Sequence, residues 1–95
     1  MLIEIKKLNI INEGHTRKIS LDRVFVNSKH VISIRDYHGA REFLLSEGSD
    51  SFAQQNYSLV KINNISGPEE IIALGTSEQL FSKFNKNDGK RLLND

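Results

Sequence analysis

The 95-residue chain has the length of one domain, and 30 of its residues are Leu, Ile, Val or Phe, so we expect it to fold. Its 13 Lys and Arg against 12 Asp and Glu give a net charge of +1, which favours neither nucleic acid nor a membrane surface. The absence of cysteine excludes disulfide scaffolds, thiol nucleophiles and thiolate metal sites. No apolar run has the roughly 18 residues that span a bilayer, and we expect no signal peptide and a cytoplasmic location.

The first strand is predicted from alternating apolar and polar residues, which fit a strand with one solvated face. Ile3 and Ile5 set the phase of this alternation, whereas Leu8 has the opposite parity. We therefore expect a bulge or bend at Lys6-Lys7, where the phase changes.

Two further strands are predicted in the first half of the chain. Gly14 can take the positive φ of a tight turn, so residues 17–21 are expected to return beside the first strand. The next strand is expected over residues 30–37. In this strand Ile32 and Ile34 alternate with Ser33 and Arg35, which places the two isoleucines on one face.

The segment 40–47 has two interpretations. Ala40, Phe43 and Leu44 lie at i, i+3 and i+4, which fits a helix, but about eight residues make a marginal helix, so a strand is favoured. The polar segment 47–56 that follows is expected to be a loop. Its Phe52 either pins the loop to the core or anchors a partner.

The last part of the chain is predicted to contain a hairpin and a helix. Residues 57–62 and 69–74 are expected to be strands around the single proline, and Gly75 ends the second strand. Thr76-Ser77-Glu78-Gln79 matches the capping box that starts a helix over residues 77–84. The residues with an expected structural role at this helix are Thr76 and Gln79 in the cap and Leu80, Phe81 and Phe84 on the apolar face.

Together these elements predict an α+β fold, in the form of a small antiparallel curved sheet or partly open barrel with one short C-terminal helix. About six strands are expected, without the βαβ rhythm of a parallel sheet. Residues 1–84 are expected to form the single domain. Residues 85–95 are expected to form a polar, frayed tail, in which Leu92 and Leu93 are the one pair able to dock.

Candidate catalytic and metal-binding residues are few. His15, His30 and His38 have no spacing typical of a metal site, and two of them lie beside glycine in predicted turns. We therefore predict no catalytic residue, no metal and no cofactor. An enzyme that uses His30 or His38 with Asp36 is a third hypothesis.

Charge is distributed unevenly along the chain. Residues 1–41 contain eight basic and four acidic residues, whereas residues 42–95 contain five and eight. A basic surface can contact phosphates, although only Phe25 and Tyr37 are available for stacking in this half. The candidate contacts for a partner or a nucleic acid are Arg17, Lys18, Arg23, Lys29, Arg35 and Arg41.

Four stretches of the sequence resemble, in their order, the small flagellar FlbD-type proteins. They are Ile3-Glu4-Ile5-Lys6-Lys7-Leu8-Asn9, Ile19-Ser20-Leu21-Asp22-Arg23-Val24, Val31-Ile32-Ser33-Ile34 and Ser77-Glu78-Gln79-Leu80-Phe81-Ser82-Lys83-Phe84. The resemblance implies a small regulatory protein without catalysis. It assigns no site residue.

The sequence as a whole predicts a non-enzymatic binding or regulatory protein that docks a protein partner. The alternative is a nucleic-acid-binding module that uses the basic residues within 6–41. A homodimer is expected from pairing of exposed sheet edges. The abundance of Asn, Ile and Lys beside few Ala and Pro is typical of an AT-rich bacterial or phage genome.

Overall fold

The computed structural model describes the backbone of residues 1–93 and the side chains of residues 1–85. Five strands and three α-helices make up this part of the chain. The strands are β1 (Leu2–Glu13), β2 (Thr16–Asn27), β3 (Val31–Asp36), β4 (Tyr57–Asn64) and β5 (Gly67–Leu74). The helices are α1 (Gly39–Ser46), α2 (Asp50–Ala53) and α3 (Ser77–Leu93), and a 3-10 turn at Ser28–His30 joins β2 to β3.

All neighbouring strands are antiparallel, in the order β2-β1-β5-β4-β3. Among the described residues, β1 meets β5 through the single pair Lys7 and Ala73, so the β1–β2 hairpin can turn away from the other three strands. The resulting sheet is open and curved, which confirms the predicted α+β fold. It differs from the prediction in having five strands and in having two short helices before the C-terminal one.

The β1–β2 hairpin is continuous from end to end. Gly14 takes a φ of +64° in its turn, as expected. The twelve residue pairs of the hairpin show no shift in register, so the expected bulge at Lys6-Lys7 is wrong. The return strand is also longer than predicted, because it covers residues 16–27 rather than 17–21.

The change of phase in β1 has another cause, which is that both faces of the strand are covered. Ile3 and Ile5 point to the face that carries α3, and Leu8 points to the opposite face, which carries α1. We call the two clusters the α3-side core and the α1-side core. The buried residues of the α3-side core are Ile3, Ile5, Val26, Val60, Ile62, Ile71, Ala73, Leu80 and Phe84. Those of the α1-side core are Leu8, Ala40, Leu44, Ala53 and Tyr57.

Residues 39–46 form helix α1, which corrects the prediction of a strand over residues 40–47. Ala40 and Leu44, at i and i+4, are buried in the α1-side core. This packing supplies the stability that a helix of eight residues lacks in isolation. The expected loop 47–56 also contains one helical turn, α2, and Phe52 packs against the same core.

Helix α3 begins at the predicted capping box but extends to Leu93, beyond the predicted end at residue 84. Leu80 and Phe84 are buried, whereas Phe81 is 60% exposed, because it lies about 100° around the helix from Leu80. The predicted apolar face is therefore corrected to Leu80 and Phe84. The side chains of residues 86–95 of the expected tail, including Leu92, lie outside the described residues. No described helix is long and apolar enough to cross a bilayer.

Phe84→Ala is expected to destabilise the protein strongly, because truncating a buried Phe costs about 3–5 kcal/mol of unfolding free energy. The matched control is Phe81→Ala, which changes an exposed side chain and should alter that free energy by less than about 0.5 kcal/mol. Urea denaturation followed by circular dichroism measures both variants. Equal unfolding midpoints for the two variants would show that packing of α3 through Phe84 does not stabilise the core.

Candidate partner-docking groove

A groove with a volume of about 540 Å³ runs between the edge strand β3 and helix α3. Its lining includes Ile32 from β3 and Phe81 from α3, while Val31, Ile34 and Phe84 connect it to the α3-side core. Ile32 is 53% exposed and Phe81 is 60% exposed, so two large apolar side chains border the groove in solvent. A concentration of exposed apolar surface in one place is typical of a protein-binding site. We call this feature the β3–α3 groove.

Ile32 is exposed because β3 contains a bulge. Val31 and Ser33 pair with adjacent residues of β4, so Ile32 is an extra residue between them. A bulge interrupts the regular alternation of side chains along a strand. Ile32 and Ile34 therefore do not share a face as the alternation predicts, because Ile34 packs against the α3-side core and Ile32 is exposed.

The outer edge of β3 carries backbone groups without a strand partner. The Tyr37 N–H donates to the Tyr57 carbonyl at 2.9 Å, which sets the alternation of hydrogen bonds between β3 and β4. The backbone groups of Ile34 and Asp36 consequently point away from β4. No other strand within residues 1–93 pairs with β3 on that side. An extended segment of another chain can form hydrogen bonds there.

Hydrogen bonds at its N-terminus fix the position of α3. The Thr76 hydroxyl accepts from the Gln79 N–H at 3.1 Å, and the Gln79 side-chain oxygen accepts from the Thr76 N–H at 2.9 Å, which is the predicted capping box. The Asp36 carboxylate accepts from the Ser77 N–H at 2.8 Å and so ties the end of β3 to the start of α3. A carboxylate at this position also interacts favourably with the positive end of the helix dipole.

The contact with Ser77 favours the ionised form of Asp36. The Ser77 backbone N–H lowers the pKa of Asp36 below its ordinary 3.8, and a hydrogen bond from the Ser77 side chain adds to the lowering. Desolvation opposes this effect, and the charge of His38 adds a smaller lowering of the pKa. Protonation of Asp36 therefore weakens the link between β3 and α3.

Ser28 adds a polar group to the lining of the β3–α3 groove. Its Oγ atom is buried and has no hydrogen-bond partner among the described residues. A buried hydroxyl without a partner lowers the stability of the fold, because its desolvation is not compensated by a hydrogen bond.

A second, polar cleft lies where the starts of α1 and α3 come together. Its volume is about 410 Å³, and its lining includes Asp36, His38 and Arg41. The structure thus brings His38 and Asp36 into one cleft, whereas His30 lines a different depression and His15 lies at the hairpin turn. Within the described residues, no three His, Cys, Asp or Glu side chains are grouped so that they could hold a metal ion.

Half of the basic candidate contacts are engaged in ion pairs on the protein surface. These pairs are Arg17 with Glu47 at 2.8 Å, Arg23 with Glu4 at 3.6 Å and Arg35 with Glu70 at 3.8 Å. The other three candidates, Lys18, Lys29 and Arg41, are exposed and form no ion pair among the described residues. Because of these ion pairs, residues 1–41 present less positive charge at the protein surface than their composition indicates.

The sequence did not single out Ile32, Ser28 or the edge of β3 as functional. For Ile32, a signal was available in the neighbouring pair Val31-Ile32. Adjacent side chains in a regular strand point to opposite faces, so two adjacent apolar residues indicate a bulge, an exposed apolar position or a strand that is covered on both faces.

Comparison of the chain with protein-family models, with curated proteins and with solved structures found no match. The resemblance to the FlbD-type proteins therefore stays a prediction.

Asp36→Asn is expected to lower the unfolding midpoint near neutral pH, because it removes the carboxylate bound to Ser77. Since the folded-state pKa of Asp36 is lowered, its contribution to stability is present above the unfolded value of 3.8. This contribution is lost as the pH falls through the folded-state pKa. The unfolding midpoints of the native protein and the variant should therefore become equal in acid. Thermal unfolding across this pH range measures the difference. The control Asp50→Asn removes an exposed carboxylate elsewhere, and an identical pH profile for both variants would contradict the prediction.

Proposed function

We propose that this chain is a small, non-enzymatic binding protein that docks a protein partner in the β3–α3 groove. The observation that carries the proposal is the position of Ile32 and Phe81, two exposed apolar side chains on either side of a groove at an open sheet edge. Burial of such side chains contributes on the order of 1.5–3 kcal/mol each. A regulatory role, as the FlbD-type resemblance implies, and a cytoplasmic location are parts of the same proposal.

The groove fits an extended segment of the partner better than a helix. Ile34 and Asp36 offer backbone hydrogen bonds along the edge of β3, and a segment placed there would add a sixth strand to the sheet. Alternate side chains of the segment would then enter the groove beside Phe81.

The environment of Asp36 gives this carboxylate a structural role at the groove. It accepts a hydrogen bond from the first residue of α3, at 2.8 Å from Ser77 N, and so joins the end of β3 to the helix that borders the groove.

Capture of the partner is expected to depend on the groove. Tagged native protein and its Phe81→Lys variant are used as baits in a native lysate treated with nuclease. A protein captured by the native bait should be lost by about ten-fold or more with Phe81→Lys, because a charge then faces the apolar surface of the partner.

Ile65→Lys is the matched control, since Ile65 is a fully exposed apolar residue at the β4–β5 turn, outside the groove. It should capture the same protein as the native bait. Equal loss with both variants, or no loss with Phe81→Lys, would exclude the groove as the docking site.

The alternative function, nucleic-acid binding through the basic residues within 6–41, has weaker support because three of the six candidates already face an acidic partner. We expect any gel shift with duplex DNA or RNA to disappear between about 50 and 200 mM salt, since nonspecific phosphate contacts are lost over this range. A shift that persists at about 200 mM and weakens on Lys18→Glu would favour the alternative.

A homodimer is part of the proposal as well. The sheet has two open edges, β2 and β3, and the partner segment needs only β3. A second copy of the chain therefore has β2 available for pairing.

A further inference from the structure

Strand β2 presents the longer of the two open edges. It covers Thr16–Asn27, and within residues 1–93 it pairs only with β1. Its end near Asn27 leads into the 3-10 turn toward β3, whereas its first half lies in the hairpin far from that connection. The first half of β2 is thus the part of this edge that another strand can approach.

The hairpin turn determines which residues of β2 face outward with their backbone groups. Gly14 and His15 form a two-residue turn between Glu13 and Thr16, so these two flanking residues exchange the first pair of hydrogen bonds. The even-numbered residues of β2 consequently bond to β1. The backbone groups that point outward belong to the odd-numbered residues, which in this half are Arg17, Ile19, Leu21 and Arg23.

We propose that two copies of the chain pair through β2 in an antiparallel fashion, with Ser20 on the two-fold axis. This register places Lys18 of each copy opposite Asp22 of the other, at positions without mutual hydrogen bonds, where side chains approach most closely. It also places Ile19 of each copy opposite Leu21 of the other. The inference rests on the proposed homodimer and is independent of the β3–α3 groove.

Other registers are less favourable. The outward backbone groups of one copy must meet the outward groups of the other, so the axis can move only by whole residues. The nearest alternatives place it at Ile19 or at Leu21. With the axis at Ile19, Lys18 faces Ser20, and with the axis at Leu21, it faces Val24. Only the register centred on Ser20 places opposite charges directly across the interface in this half of the strand.

The same register extends an apolar row across the interface. Leu8 and Leu21 are neighbours on one face of the hairpin, and so are Ile10 and Ile19. Pairing of Leu21 with Ile19 of the second copy joins the two rows and gives the 40% exposed Ile10 a place at the end of this row.

Two like-charge contacts arise in this register, because Arg17 of each copy lies opposite Arg23 of the other. Each of these guanidinium groups already has an acidic partner within its own chain, Glu47 for Arg17 at 2.8 Å and Glu4 for Arg23 at 3.6 Å. These contacts reduce the repulsion, because each arginine and its glutamate together have no net charge.

A disulfide across the two-fold axis tests the register directly. The chain has no cysteine, so Ser20→Cys introduces the only thiol. In the proposed dimer the two Cα atoms at position 20 lie about 4.5 Å apart, within the range of a disulfide. Mild oxidation should therefore convert most of the variant to a covalent dimer of twice 10.8 kDa. The matched control is Ser33→Cys at the middle of the other edge strand, which should stay monomeric on a denaturing gel.

Charge reversal provides a second, reversible test. Lys18→Asp alone should shift the native protein from dimer to monomer in analytical ultracentrifugation, because two Asp–Asp contacts replace two Lys–Asp contacts. Lys18→Asp combined with Asp22→Lys restores the opposite charges and should restore the dimer. Circular dichroism of each variant verifies that it is folded.

A monomeric native protein at about 1 mM, cross-linking through Ser33→Cys instead of Ser20→Cys, or a dimer insensitive to Lys18→Asp would each overturn the proposal. These outcomes are distinct from failure of the groove, because capture that depends on Phe81 does not require β2. A protein that dimerises as proposed but captures its partner without Phe81 would overturn the groove alone.

Discussion

The shape of the sheet depends on the short connection between β2 and β3. These strands lie at opposite edges of the sheet, yet only residues 28–30 separate them. In a flat sheet, four gaps of about 4.8 Å would place the edge strands about 19 Å apart. The connection spans at most about 15 Å when extended, and it is wound into a 3-10 turn. The sheet must therefore curl until the end of β2 approaches the start of β3, where the Ser28 N–H donates to the Met1 carbonyl at 3.0 Å.

Curling of the sheet also explains where the docking groove lies. Ile3 from the hairpin and Ile62 from β4 belong to one cluster, which α3 covers with Leu80 and Phe84. Because Asp36 at the end of β3 holds the first residue of α3, the helix starts beside the edge strand. The groove is the space that remains between the helix and this edge. It is therefore formed by the same contacts that complete the core.

Features that depend on neighbours in sequence were predictable, as the glycine turn of the first hairpin and the capping box of α3 show. Helix α1 was not, because Leu44 obtains its burial from a sheet that is distant in sequence. Phe81 and Phe84 are equally apolar and differ in their angle around the helix. The exposure of Ile32 depends on how β3 pairs with β4, which the pattern of β3 alone does not reveal. The groove combines the last two features, so the fold was easier to predict than the site.

Because both faces of β1 are covered, the two cores are coupled when the protein unfolds. Ile5 contributes to one core, and Leu8, three residues later, contributes to the other. Displacement of this single strand exposes apolar surface on both faces at once, so the free energies of opening the two faces are coupled. The helical layers are consequently parts of one cooperative unit. Slow hydrogen exchange in α1 and in α3 should then report the same global opening of the chain.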